Sequence, residues 1–174
     1  MGSINNYMEE LMALTLIKRS KNEDTNVSSS EAVAKGLEQV LADSFGMYVK
    51  TLHYHWNVEG PMFVAIHTLT EDHYKNLTEA IDDVAERIRM LGYYVSASLD
   101  SIAGMSTIKV PAGKAIDSKM DIAELEQDHQ KIVSILKEVM TISDLQKDAA
   151  TSDLIAKRLD FHEKAAWMLR SFQK

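Results

Sequence analysis

A chain of 174 residues with a net charge of −7 is the right size for one domain with a sizeable core, and its acidity argues against non-specific attraction to nucleic acid or anionic membrane. Two prolines and seven glycines leave too few turns for an all-β fold. There is no cysteine, which excludes disulfides, thiolate metal sites and iron–sulfur clusters.

Early in the chain, Ile4, Tyr7, Met8, Leu11, Met12 and Leu14 recur at helical spacing and predict a short amphipathic helix over residues 4–19. Glu9 and Glu10 interrupt its apolar face, so it does not read as a signal peptide. No uncharged run approaches membrane-spanning length, and the expectation is a soluble cytoplasmic protein without a membrane partner. Residues 1–27 are expected to form an N-terminal extension and residues 28–174 the main domain. Ser28 and Glu31 make a capping-box pattern that opens the first long helix. Its stripe runs through Val33, Leu37, Val40, Leu41, Phe45, Tyr48 and Leu52. Gly60-Pro61 ends it, and Pro61 suits the first turn of the next helix.

That second helix keeps its stripe through Phe63, Ile66, Thr70, Tyr74, Leu77, Ile81, Val84, Ile88 and Leu91 until Gly92, a length of roughly 45 Å. Residues 93–118 predict a short helix near 94–102 inside a long crossover, with a break at Gly104. A third helix is expected at about 119–143 and a fourth at about 150–173. The expected fold is all-α, a four-helix bundle with ferritin-like connectivity and a helix-bearing crossover between its second and third long helices.

His55 and His67 stand twelve residues apart across the Gly60-Pro61 turn, and the second helix also carries Asp82 and Glu86 at i and i+4. Imidazole and carboxylate donors suit iron, manganese or zinc. His55 can fold back beside His67, but Asp82 follows His67 by 15 residues, about 22 Å along the axis. One chain therefore offers a histidine pair at one end and a carboxylate pair towards the other. Two chains related by a two-fold axis, with antiparallel second helices, could join them into two equivalent sites.

The run His55-Trp56-Asn57-Val58-Glu59-Gly60-Pro61-Met62-Phe63, then His67, Asp82, Ala85-Glu86-Arg87 and Leu91-Gly92, resembles the Dps family of mini-ferritins, the DNA-binding proteins of starved cells. The segment His162-Glu163-Lys164-Ala165-Ala166-Trp167-Met168-Leu169-Arg170 is similar to that family's last helix, and the resemblance covers about residues 30–172. It implies a hollow dodecamer with ferroxidase sites at two-fold interfaces. His55 and His67 would be ligands from one subunit, and Asp82 and Glu86 from its partner. The expected reaction is oxidation of Fe(II) by hydrogen peroxide, with dioxygen slower and zinc able to take the same site. Ferric product would collect on cavity carboxylates, for which Asp148, Asp153 and Asp160 are candidates. Trp56, beside a ligand, could intercept stray oxidising equivalents or pack at the interface. The family usually has aspartate four residues after the second histidine; this chain has Glu71, expected to ligate directly or through water, and Asp72 points about 100° away.

Other histidines read as structural. His53 is about 200° around the helix from His55, and His73, His129 and His162 are expected to pack or face solvent. Glu126 and His129 form a Glu-x-x-His pair, but no second such pair completes a site inside the bundle. The alternative function, a nucleoid DNA-compacting protein with secondary metal binding, needs clustered cations. Residues 1–30 instead carry Lys18, Arg19 and Lys21 against Glu9, Glu10, Glu23 and Asp24, so DNA is not an expected partner.

Overall fold

The computed structural model describes residues 25–111, 113, 115–116 and 120–174, with side chains from residue 30 onward. The helix expected over 4–19 lies outside the described residues. Among the described residues there are five helices in chain order: α1 (Thr25–Asn57), α2 (Phe63–Met90), α3 (Leu99–Met105), α4 (Met120–Leu145) and α5 (Ala149–Ser171). Among the described residues there is no strand, only an isolated parallel bridge between Val58 and Ile116. The fold is the all-α ferritin-like bundle, with the short helix in its crossover.

Two antiparallel hairpins, α1–α2 and α4–α5, pack face to face, with α1 against α4 and α2 against α5. The stripes read from sequence form the core: Val33, Leu37 and Leu41 meet Ile66, Leu77, Val84 and Ile88, with Ile122, Leu125, Ile132, Leu136 and Leu169 opposite, all buried. Each such side chain contributes about 1.5–3 kcal/mol on burial. Within the same stripes, Phe45, Tyr48 and Ile81 are only partly buried against this core.

Boundaries differ from expectation in four places. Helix α1 begins at Thr25, so Ser28 lies inside it rather than capping it. Helix α2 begins at Phe63, after a turn in which the Phe63 N–H donates to the Gly60 carbonyl at 3.0 Å; Pro61 therefore belongs to the turn. The crossover helix lies at Leu99–Met105 rather than near 94–102, because Tyr93 is consumed in ending α2. Its N–H donates to Ile88 O at 3.2 Å and that of Gly92, at φ 94°, to Arg89 O at 3.0 Å, a Schellman closure that wants glycine. Gly104 sits within α3 instead of breaking it; a single helical glycine costs only about 1 kcal/mol.

The crossover is tied to α1 by Asp43, which is fully buried. Its Oδ1 accepts from the Thr107 N–H at 2.6 Å and from Ser106 Oγ at 3.2 Å, and its Oδ2 from Gln39 Nε2 at 2.9 Å. Burial raises the Asp43 pKa, against the lowering effect of those hydrogen bonds. Gly46 lets this segment approach: a Cβ there would lie 2.4 Å from Ser106 Oγ and 3.0 Å from Ile108 Cβ. Ser106 is held by Asp43 and has little room to yield. Gly46→Ala is expected to lower stability by about 1–3 kcal/mol, read as a shift in the urea midpoint.

Candidate metal centre

The chain reverses between α1 and α2 in five residues, with Gly60 at φ 88°, and this brings the two histidines together. His55, in the last turn of α1, donates Nδ1–H to the His67 carbonyl at 2.9 Å. His67, in the first turns of α2, donates Nδ1–H to the His55 carbonyl at 2.8 Å. Because both acceptors are carbonyls, both Nδ1 atoms carry the proton, and each Nε2 keeps its lone pair as a metal ligand requires. The rings are stacked, centroids 3.8 Å apart and 17° from parallel. Phe63 stacks on the outer side of His67 at 5.0 Å, and Tyr74 meets His55 edge-on at 5.2 Å. Thr70 Oγ1 lies 3.4 Å from His55 Nδ1 and donates to the Ile66 carbonyl at 2.7 Å.

Asp82 and Glu86 are exposed, further along α2. The helix carries them about 22 Å from His67. Among the described residues no three His, Asp or Glu side chains converge as a metal site; the chain presents a prepared imidazole pair and a separate carboxylate pair. Arg87 fixes the helix end that bears the carboxylates. It pairs with Asp148 at 2.6 Å and donates through Nε to Thr151 Oγ1 at 2.9 Å. Asp148 is also the N-cap of α5, accepting from the Thr151 N–H. Burial works to raise its pKa, but the bonds from Arg87 and Thr151 win and lower it. Of the other carboxylates considered for mineral, Asp153 pairs with Lys157 at 2.7 Å and Asp160 is exposed.

Glu71 does not turn to the imidazoles: its carboxylate takes the Lys75 ammonium at 2.6 Å. Trp56 is 69% exposed, at the same corner as exposed Met62, Phe63 and Val64. His53 is buried, its carbonyl and Nδ1 facing the Asn57 amide.

Two polar clusters of the core escaped the sequence reading. Lys50 and Asp128, each 1% exposed at the side chain, form an ion pair at 2.5 Å, flanked by Glu124 and Lys131. His73, His129 and His162, read as packing or surface, are all buried. His129 and His162 face each other Nδ1 to Nδ1 at 2.9 Å, and His73 packs edge-on to His129. Glu126 is turned away to Arg170 and Gln130, so the Glu-x-x-His pair does not act together. The available signal was spacing: Lys50 lies between buried Met47 and Tyr54 on one face of α1, and each histidine falls on its helix's apolar stripe.

Burial, reinforced for His129 by His162, His73 and then Arg158, and for His162 by Arg158 and then His73, lowers the pKa of all three histidines, that of His73 to about 4. They are neutral in the folded protein, while an unfolded histidine protonates near 6.5. The unfolded chain thus binds more protons below that value, and stability is retained above pH ~6.5 and lost as pH falls towards ~4. His73 alone contributes a loss of about 3 kcal/mol across that window. Urea midpoints measured from pH 7 to pH 4 are expected to fall, less steeply in His73→Leu.

A family model, the ferritin-like domain, matches residues 34–174, in agreement with the bundle and its crossover. A low temperature-induced protein of Nostoc sp. is 41% identical over 143 residues, covering 82% of this chain and 80% of its own. DNA protection during starvation protein 2 of Bacillus anthracis is 31% identical over 144 residues, 82% of this chain and 97% of that protein. The crystal structure of a Dps protein from Vibrio cholerae O1, described as a member of a broad superfamily of ferritin-like diiron-carboxylate proteins, matches with a TM-score of 0.80. It is 26% identical, over 85% of this chain and 92% of that one. The chain belongs to the Dps family of ferritin-like proteins. Among the described residues no helix is long and apolar enough to cross a membrane.

Proposed function

We propose that this protein is a cytoplasmic ferroxidase and iron store that works as a hollow dodecamer, oxidising Fe(II) with hydrogen peroxide at sites shared between two subunits. The observation that carries this reading is the imidazole pair: both Nδ1 protons are spent on main-chain carbonyls, so both Nε2 lone pairs are available, yet the chain's own Asp82 and Glu86 are out of reach. A two-fold partner supplies them, and the exposed corner of Trp56, Met62, Phe63 and Val64 is the apolar surface such a contact would cover. Membership of a family with ferritin-like diiron-carboxylate relatives supports iron as the substrate metal.

The chemistry follows from the donors. Imidazoles accept Fe(II), and carboxylates favour Fe(III) as charge builds. Two Fe(II) give one electron each to one peroxide; with two protons this yields two Fe(III) and two waters, and no hydroxyl radical leaves. Trp56 would take up stray oxidising equivalents. The test is anaerobic Fe(II) loading and one peroxide pulse, with zinc as a redox-inert competitor. Wild type should develop ferric absorbance rapidly, and His55→Ala and Asp82→Ala variants that still assemble should be slower by about 100-fold or more. Variants as fast as wild type would show that the site is elsewhere.

A further inference from the structure

His67, Glu71 and Lys75 follow one another at four-residue steps along a single ridge of α2. The middle member is a candidate metal ligand, and the structure shows what competes for it. Glu71 Oε1 accepts from Lys75 Nζ at 2.6 Å, with both side chains reachable by solvent, 38% and 61% exposed. We propose that Lys75 controls the second cation position of this site. While its ammonium holds the Glu71 carboxylate, each site binds one divalent cation tightly, and a second enters only by displacing Lys75. This inference rests on the shared site proposed above.

Three physical points support it. A carboxylate already hydrogen-bonded to an ammonium has lost donor strength towards a metal, and a neighbouring positive charge repels an incoming dication. The pair is exposed and therefore weak, so it regulates rather than blocks: lysine's four-carbon stem lets the ammonium swing into solvent. Glu71 stands one helical turn beyond His67 on the same ridge, with Lys75 one turn beyond it. The carboxylate is thus shared ground between the imidazole end of the ridge and the lysine.

The experiment is an anaerobic Co(II) titration of the metal-free assembled protein, followed by calorimetry and by the cobalt visible spectrum. Wild type is expected to bind one tight equivalent per subunit. In Lys75→Met a second equivalent should bind at least about ten-fold more tightly than in wild type, and Glu71→Gln in the Lys75→Met background should abolish that gain. Two equivalents of like affinity in wild type, or a second equivalent unchanged in Lys75→Met, would overturn the role of Lys75 while leaving the shared site standing. A first equivalent that survives both His55→Ala and Asp82→Ala would remove the shared site itself and this inference with it. Sedimentation and helical circular dichroism of each variant confirm that assembly and fold are intact.

Discussion

Oligomers refolded from an equal mixture of His55→Ala and Asp82→Ala subunits should recover about a quarter of the wild-type iron-oxidising sites, although each parent is inactive. The fraction follows from symmetry. In a mixed dimer, one site combines the damaged histidine pair with the damaged carboxylates. The other combines an intact histidine pair with intact carboxylates. Random pairing makes about half the dimers mixed, and half of their sites are whole. A site built within one subunit would give no recovery at all. Peroxide-driven ferric absorbance of the refolded mixture, normalised to assembled protein, reads the outcome directly. The His55–His67 geometry keeps the result clean, because the His55 carbonyl that orients the His67 ring survives in His55→Ala, which loses only the stacked imidazole and its own bond to the His67 carbonyl.

The second large effect concerns stability. Asp128→Ala should lower the unfolding free energy by about 3 kcal/mol, since it strands the Lys50 ammonium in the core. That figure is at the low end for a broken buried pair because Glu124, half-exposed, still reaches Lys50. Replacing both partners, as Lys50→Met with Asp128→Leu, should restore most of the loss, as no charge is then left buried. Urea unfolding of the assembled protein at one fixed concentration provides the comparison. A double variant as unstable as Asp128→Ala would show that the pair acts through packing rather than charge.

How far the sequence exposes these features depends on whether the signal is periodic. The long helices were legible because Leu37, Ile66, Leu77, Val84 and Leu136 recur at a period only a helix buries. The histidine pair was legible because a tight turn lies between its members. The position of α3 was not: Tyr93 and Tyr94 look like helix-compatible residues, but the former is spent closing α2 at Gly92. Nor was the Lys75 pairing of Glu71 foreseen, since charges four residues apart on a helix are commonplace and seldom informative. Polar residues on apolar stripes, namely Lys50, His73, His129 and His162, carry no periodic signal of the partners they meet in the core. There the core is held by the Lys50–Asp128 ion pair and the His129–His162 contact as well as by apolar packing.

The cross-bracing of His55 and His67 has a genetic corollary. Each ring takes its aim from the other residue's main chain, so neither can be placed unless the short reversal between them keeps its length and shape. Adding one residue within 58–62, or forcing a side chain onto Gly60 at its left-handed φ, would misdirect both imidazoles while leaving every ligand in place in the sequence. Conversely, residues 55–67 carry their own alignment instructions. Grafted onto another antiparallel helix pair of the same spacing, this thirteen-residue corner should deliver two parallel imidazoles ready to receive a metal.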